Sequence, residues 1–216
     1  MNYLFAALAI IAAYLIGSVN FAVIFTKKYN NVDVRDFGSG NAGTTNVLRV
    51  AGKRAGLATF ALDILKGAVA AALGLLVFSF LPFYNEYGTF ICGLSCMLGH
   101  CFPVFFGFRG GKAVATSVGI FAVCCPVAIL IGLLCFAICM AITKIVSASS
   151  LLATLIVVGI TSGFAFGGGF ANAVNPVIIT GITAACGLVV ILRHIENIKR
   201  IFNGTEKKFS VKKEKK

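Results

Sequence analysis

Three short polar runs hold most of the side chains in this sequence that could do chemistry: GSGNAGTTNVLR at Gly38 to Arg49, GHCFPVFFGFRGGKAVAT at Gly99 to Thr116, and RHIENIKRIFNGTE at Arg193 to Glu206. In the first, Gly38, Gly40 and Gly43 permit close backbone approach, while Ser39, Asn41, Thr44, Thr45 and Asn46 offer hydrogen bonds without charge. Such a run suits an oxyanion, with a flexible turn as the bland alternative; it has neither a Walker pattern nor a dinucleotide fingerprint. If Thr44 or Thr45 caps a helix, Asn46 and Arg49 lie three apart on one face.

The second run is sharper. FRGGK sets Arg109 and Lys112 around Gly110 and Gly111 at the start of an apolar stretch, where helix-initial N–H groups and a cation make a natural phosphate site. Anchoring to lipid headgroups is the competing role for both cations. His100, between apolar neighbours, reads equally as a ligand or a satisfied buried histidine. In the third run Arg193, Glu196, Asn197 and Arg200 recur at three- and four-residue spacing, which predicts one helix face, with His194 on a neighbouring one. Asp63 and Lys66 form an i, i+3 pair placed at the mouth of an apolar stretch, either functional or mutually neutralising.

Composition dictates where these runs must sit. The sequence of 216 residues is 59% hydrophobic and only 12% charged, with a mean hydropathy of +0.97. That balance excludes a soluble domain of this size and predicts an all-α, polytopic membrane bundle, one domain over 1–206 followed by a basic tail at 207–216. The eight cysteines lie in or beside apolar runs with no metal-ligand spacing and read as small buried hydrophobes, so no metal is expected.

Topology follows from charge. Of the 19 Lys and Arg residues, seven lie between Lys27 and Lys66, two are Arg109 and Lys112, one is Lys144, and nine follow from Arg193 on. The uncharged turns Leu81 to Gly88, Cys124 to Pro126 and Gly167 to Asn175 are then outer loops, and the basic ones cytoplasmic. The stretch Tyr3 to Thr26, with no basic residue before it, reads as a retained first span entering from outside. Spans are predicted near 3–26, 60–80, 88–107, 127–143, 148–166 and 176–192. A seventh over Ala113 to Val123, short of the roughly 20 residues of a full span, keeps the basic tail inside; a re-entrant hairpin is the alternative there.

Taken together, GSGNAGTTNVLR, ALDILKG at Ala61 to Gly67, the FRGGK run and RHIENIKRIFNGTE resemble the PlsY family of bacterial membrane glycerol-3-phosphate acyltransferases, in order and over nearly the whole chain. The chain departs from the family's usual residues at Asn20 and Ala42, where proline is common, and at Ala113, where glycine is frequent. The resemblance implies acyl transfer from acyl phosphate to the 1-hydroxyl of glycerol 3-phosphate in a bacterial plasma membrane, as the first step of phospholipid synthesis, with no cofactor and no nucleic acid. It implies catalytic roles for Ser39, Arg49, Lys112, His194 and Asn197. Phosphate contacts are implied for Gly38, Gly40, Asn41, Thr45, Asn46, His100, Arg109, Gly110, Gly111, Arg193 and Glu196.

The chemistry that is missing constrains the mechanism. His100 and His194 are followed five residues on by Phe105 and Lys199, so no His-x-x-x-x-Asp pair exists, and neither a Gly-x-Ser-x-Gly elbow nor a Cys-His pattern is present. Direct transfer without an acyl-enzyme is therefore expected. A transporter or channel for phosphate-containing anions is the rival from another class, with a lipid-binding scaffold as a third. A transporter needs a polar path across the bilayer, whereas the outer halves of these spans are apolar.

Overall fold

The computed structural model describes residues 2–81, 85–170 and 175–209. Its regular structure is helical throughout the described residues: α1 (Asn2–Ser18), α2 (Phe21–Asn30), α3 (Thr44–Val50), α4 (Gly52–Phe78), α5 (Asn85–Cys101), α6 (Val114–Cys124), α7 (Pro126–Thr143), α8 (Val146–Phe166), α9 (Pro176–Arg193) and α10 (Ile195–Phe202). Lipid offers no partner to a bare N–H or C=O, so helices are the local solution for such apolar runs. Among the described residues, six stretches are long and apolar enough to cross a membrane: Tyr3–Asn30, Gly52–Phe78, Tyr87–Phe106, Pro126–Thr143, Val146–Phe166 and Pro176–Arg193.

The seventh apolar helix, expected over Ala113 to Val123, is α6, 11 residues from Val114 to Cys124. At 1.5 Å per residue it is about 16 Å long, half a bilayer core. It sits against α4 and α5 inside the bundle rather than on its lipid face, and close packing secures it there. A Cβ on Gly67 of α4 would overlap the Thr116 carbonyl, and one on Gly119 of α6 would overlap that of Ile64. Small residues bring α1 and α5 together in the same way, at Gly17 and Gly99. A single residue, Cys125, separates α6 from Pro126 at the start of α7, which makes the expected turn. The other two expected outer turns fall partly outside the described residues.

Two spans depart most from the sequence expectation. The first span is broken at Val19 and Asn20 and runs on to Asn30 as α2. Asn20 caps α2 by accepting a bond from the Val23 N–H at 3.2 Å, so the break costs the backbone little. The second span begins at Gly52, eight residues before the expected start, because Lys53 and Arg54 begin α4 instead of preceding it. Asp63 and Lys66 are therefore well inside α4 rather than at its mouth, and both are buried.

The basic loops gather at one end of the bundle. Arg35 donates to the Phe106 carbonyl at 2.6 Å and the Arg109 carbonyl at 3.2 Å, joining the loop after α2 to that after α5. Arg193 donates to the carbonyls of Gly110 and Gly111, and the Phe209 N–H donates to the Lys144 carbonyl at 2.7 Å. Thus α6 leaves this end and α7 returns to it.

Candidate active site

The first polar run is held by its own asparagine. Asn46 is buried, accepts a bond from the Ser39 N–H at 2.9 Å, and donates to the carbonyls of Val34 and Phe37, each at 2.9 Å. Its amide is spent on shaping the loop, which a Cβ at Gly38, with φ +66, would push off Asn46 Oδ1. Neither Thr44 nor Thr45 caps α3, because Gly43 occupies the cap position without a side-chain bond. Ser39, Gly40 and Arg49 stand exposed around this scaffold, with Asn41 and Thr45 half-buried. Asn46 and Arg49, expected on one face, thus divide into an inward brace and an outward cation.

Gly110 and Gly111 form the junction of the site. Their N–H groups donate to the carbonyls of Cys101 at 3.2 Å and His100 at 3.1 Å, which folds the loop back on the end of α5. A Cβ at Gly111 would overlap the His100 ring nitrogen Nε2 on one side and lie 2.7 Å from the Ala42 carbonyl on the other. Arg193 closes the junction from the third run, with Nε 3.0 Å from the Gly111 carbonyl and Nη2 3.2 Å from that of Gly110. Its guanidinium lies 5.5 Å over the Phe102 ring.

Lys112 follows directly from this junction and is half-buried. Its Nζ is hydrogen-bonded to Asn197 Oδ1, and Asn197 Nδ2 donates to Glu206 Oε1 at 2.6 Å. Glu206 also accepts from Ser147 Oγ at 2.7 Å and Arg200 Nε at 2.6 Å. Burial pushes the Lys112 ammonium down to about 8; the charges of Arg200, Arg193 and Arg49 add to that push and Glu206 opposes it. Burial works against the Glu206 carboxylate, but the bonds from Arg200, Ser147 and Asn197 outweigh it and hold its pKa below the ordinary range.

His194 is buried in the joint between α9 and α10, with Nδ1 2.8 Å from the Val190 carbonyl. A carbonyl only accepts, so the proton is on Nδ1 and Nε2 keeps a lone pair. Burial, then the Lys112 charge, pushes His194 down to about 4, so it is neutral near pH 7. The same joint undoes the single face expected for Arg193, Glu196, Asn197 and Arg200. Arg193 ends α9, and Glu196 is exposed and paired with Lys199 at 2.9 Å, away from the junction. Arg109 is likewise exposed, contributing its carbonyl to Arg35.

The residues that sequence reasoning passed over are Arg35, Ser147 and Glu206. Glu206 carried a signal, as an acid next to a strongly basic tail; Ser147 and Arg35 act through partners 59 and 71 residues away, and no local pattern marks them.

An apolar cavity of about 150 Å³ lies beside this end of the bundle, lined by residues of α4 to α9. Val114 and Val190 line it; one is two residues beyond Lys112 and the other bonds His194. Leu133, also on its wall, is 40% exposed on the lipid side.

The comparisons agree with this architecture. A family model described as glycerol-3-phosphate acyltransferase matches residues 7–204. The chain is 41% identical over 201 residues to glycerol-3-phosphate acyltransferase 2 of Bacillus anthracis, covering 93% of this chain and 97% of that one. It is 41% identical over 214 residues to the glycerol-3-phosphate acyltransferase of Thermoanaerobacter sp. (strain X514), covering 98% and 99%. Its fold resembles the crystal structure of PlsY, an integral membrane glycerol 3-phosphate acyltransferase, in its glycerol 3-phosphate form, with a TM-score of 0.81, 36% identity, and 95% and 96% of the two chains covered. The lysophosphatidic acid form of that protein gives a TM-score of 0.78 at 34% identity.

Proposed function

The chain belongs to the glycerol-3-phosphate acyltransferase family, and we propose that it takes its acyl group from acyl phosphate and passes it directly to glycerol 3-phosphate on the cytoplasmic face of a bacterial plasma membrane. The observation that carries this reading is that Lys112 and Arg193 lie two and three residues along the chain from Val114 and Val190 on the wall of an apolar cavity, with the Arg49 charge close enough to act on Lys112. An acyl phosphate is an apolar tail ending in a dianionic, already activated head, and this site offers the complement of both.

A cavity of about 150 Å³ takes a benzene-sized group, roughly six carbons. The rest of the chain emerges past Leu133 into lipid. Lys112 and Arg49 neutralise the leaving phosphate, while Ser39, Asn41 and Thr45, held on the Asn46 brace, receive glycerol 3-phosphate. The substrate 1-hydroxyl oxygen bonds to the acyl carbonyl carbon, the bond from that carbon to the oxygen bridging it to phosphorus breaks, and the bridging oxygen leaves as part of inorganic phosphate. His194 is a weak base at about 4. It therefore orients the hydroxyl through Nε2, and the proton passes to a phosphate oxygen, whose second ionisation near pKa 6 makes it the better acceptor. The protein's contribution is positioning and charge stabilisation.

Purified protein with no soluble partner is expected to turn over glycerol 3-phosphate with acyl phosphate, and initial-rate lines for the two substrates to intersect. Parallel lines, or an acyl adduct trapped on Ser39 with labelled donor alone, refute direct transfer.

A further inference from the structure

Well inside the spans, and unused by the chemistry above, Asp63 Oδ1 is 2.8 Å from Lys66 Nζ and 3.6 Å from His100 Nδ1. The three residues are 2%, 5% and 6% exposed. Charges so placed are costly, and an apolar trio of similar volume often serves stability as well or better. What the trio touches is more telling. Lys66 Nζ donates to the Val19 carbonyl at 2.8 Å; that carbonyl has no helical partner, because the Val23 N–H is turned to Asn20. On the other side the His100 ring fills the space where a Cβ of Gly111 would be, and Gly111 immediately precedes Lys112.

We propose that Asp63, Lys66 and His100 form a positioning unit for Lys112. The ion pair fixes the orientation of the His100 ring, the ring sets the height of the Gly110–Gly111 backbone, and Arg193 clamps that backbone from above. The same ion pair, through Val19, holds the break between α1 and α2, from which the first polar run descends. One buried pair thus sets the spacing between two of the three runs that make the site.

The inference rests on the proposed role of Lys112, and it is tested by two readouts on the purified full-length protein. The first is steady-state kinetics of Asp63→Asn/Lys66→Gln, which removes both charges together and so leaves no lone buried ion. The second is the rate of reductive methylation of Lys112 relative to Lys144 and Lys199, read by mass spectrometry with neither substrate present. Expected are a kcat at least tenfold lower, KM for both substrates within threefold, an unchanged thermal midpoint, and a relative Lys112 rate altered at least threefold.

If the double variant does not fold, His100→Gln carries the test, since it leaves the ion pair in place and replaces only the ring. Wild-type kcat in the folded variant, or a reduced kcat with unaltered Lys112 labelling, overturns the proposal. Failure of the wild type to use acyl phosphate would instead overturn the donor assignment, because the labelling rate is independent of turnover.

Discussion

Lys112 shows how a single residue changes meaning with depth. On the surface it would be one more basic residue near lipid headgroups. Here it is bonded to Asn197 and pushed down to about 8, so its charge is available below that pH and lost above it. The kcat/KM profile is accordingly expected to fall as pH rises through about 8, and Lys112→Ala to lower kcat/KM at least about a hundredfold, since a desolvated charged hydrogen bond is worth 1.5–3 kcal/mol or more. Lys112→Arg keeps the charge at all working pH, so whatever activity it retains is expected to lose that alkaline limb; a limb that stays at the same pH would belong to another group. Steady-state rates from pH 6 to 9.5 on both variants decide it. The importance of Lys112 was legible from FRGGK, because glycines beside a cation form a local pattern. The division of labour around it was not, since Asn46 turned inward and Glu196 turned outward only once tertiary contacts chose between them.

Among the elements, α6 is the one most at odds with ordinary rules. It starts from Ala113, whose φ of +59 lies in the left-handed region, where an L side chain costs about 1–2 kcal/mol. Replacing it by glycine relieves that strain but loses a buried methyl worth about 0.8 kcal/mol and adds unfolded-chain entropy of about 0.5–1 kcal/mol. The opposing effects nearly cancel, so Ala113→Gly is expected within about 1 kcal/mol of wild type. Ala113→Val, whose branched Cβ is far less tolerant of positive φ, is expected to cost at least about 2 kcal/mol. Denaturant midpoints in detergent distinguish this from a pure cavity effect, in which valine would be the milder change. The existence of α6 was readable from the turn residues on either side of it and from charge parity. The break at Val19 and Asn20 was not, because the apolar run continues across it and only the Lys66 contact reveals what it serves.

For the whole molecule, the contacts among Arg35, Arg109, Arg193, Lys144 and Phe209 bring the basic loops to one end. If that end is cytoplasmic, single cysteines at Ser79 in a background lacking the native thiols are expected to react with an impermeant reagent outside intact cells, and those at Lys144 and Asn203 to react only after lysis. Outside labelling at Lys144 would mean that α6 and α7 do not make the round trip. The bundle as a class was plain from composition and the end-to-end order of basic loops from counting, because both are set by the bilayer. Which loops touch, and through which side chains, is decided by packing between segments far apart in sequence.

The bond of Glu206 to Asn197, and those of Arg35 to the loop after α5, also order events in time. Arg35 and Glu206 are separated by most of the sequence, and at a synthesis rate of about 5–20 residues per second the ribosome takes roughly ten to thirty seconds to travel from one to the other. During that interval the early helices can enter the bilayer with the first basic loop made, while Asn197, which bonds Lys112, and Glu206 behind it are still to come. The nascent chain is a membrane protein well before this end face is complete, and the bonds that Glu206 accepts from Asn197, Ser147 and Arg200 are among the last to form.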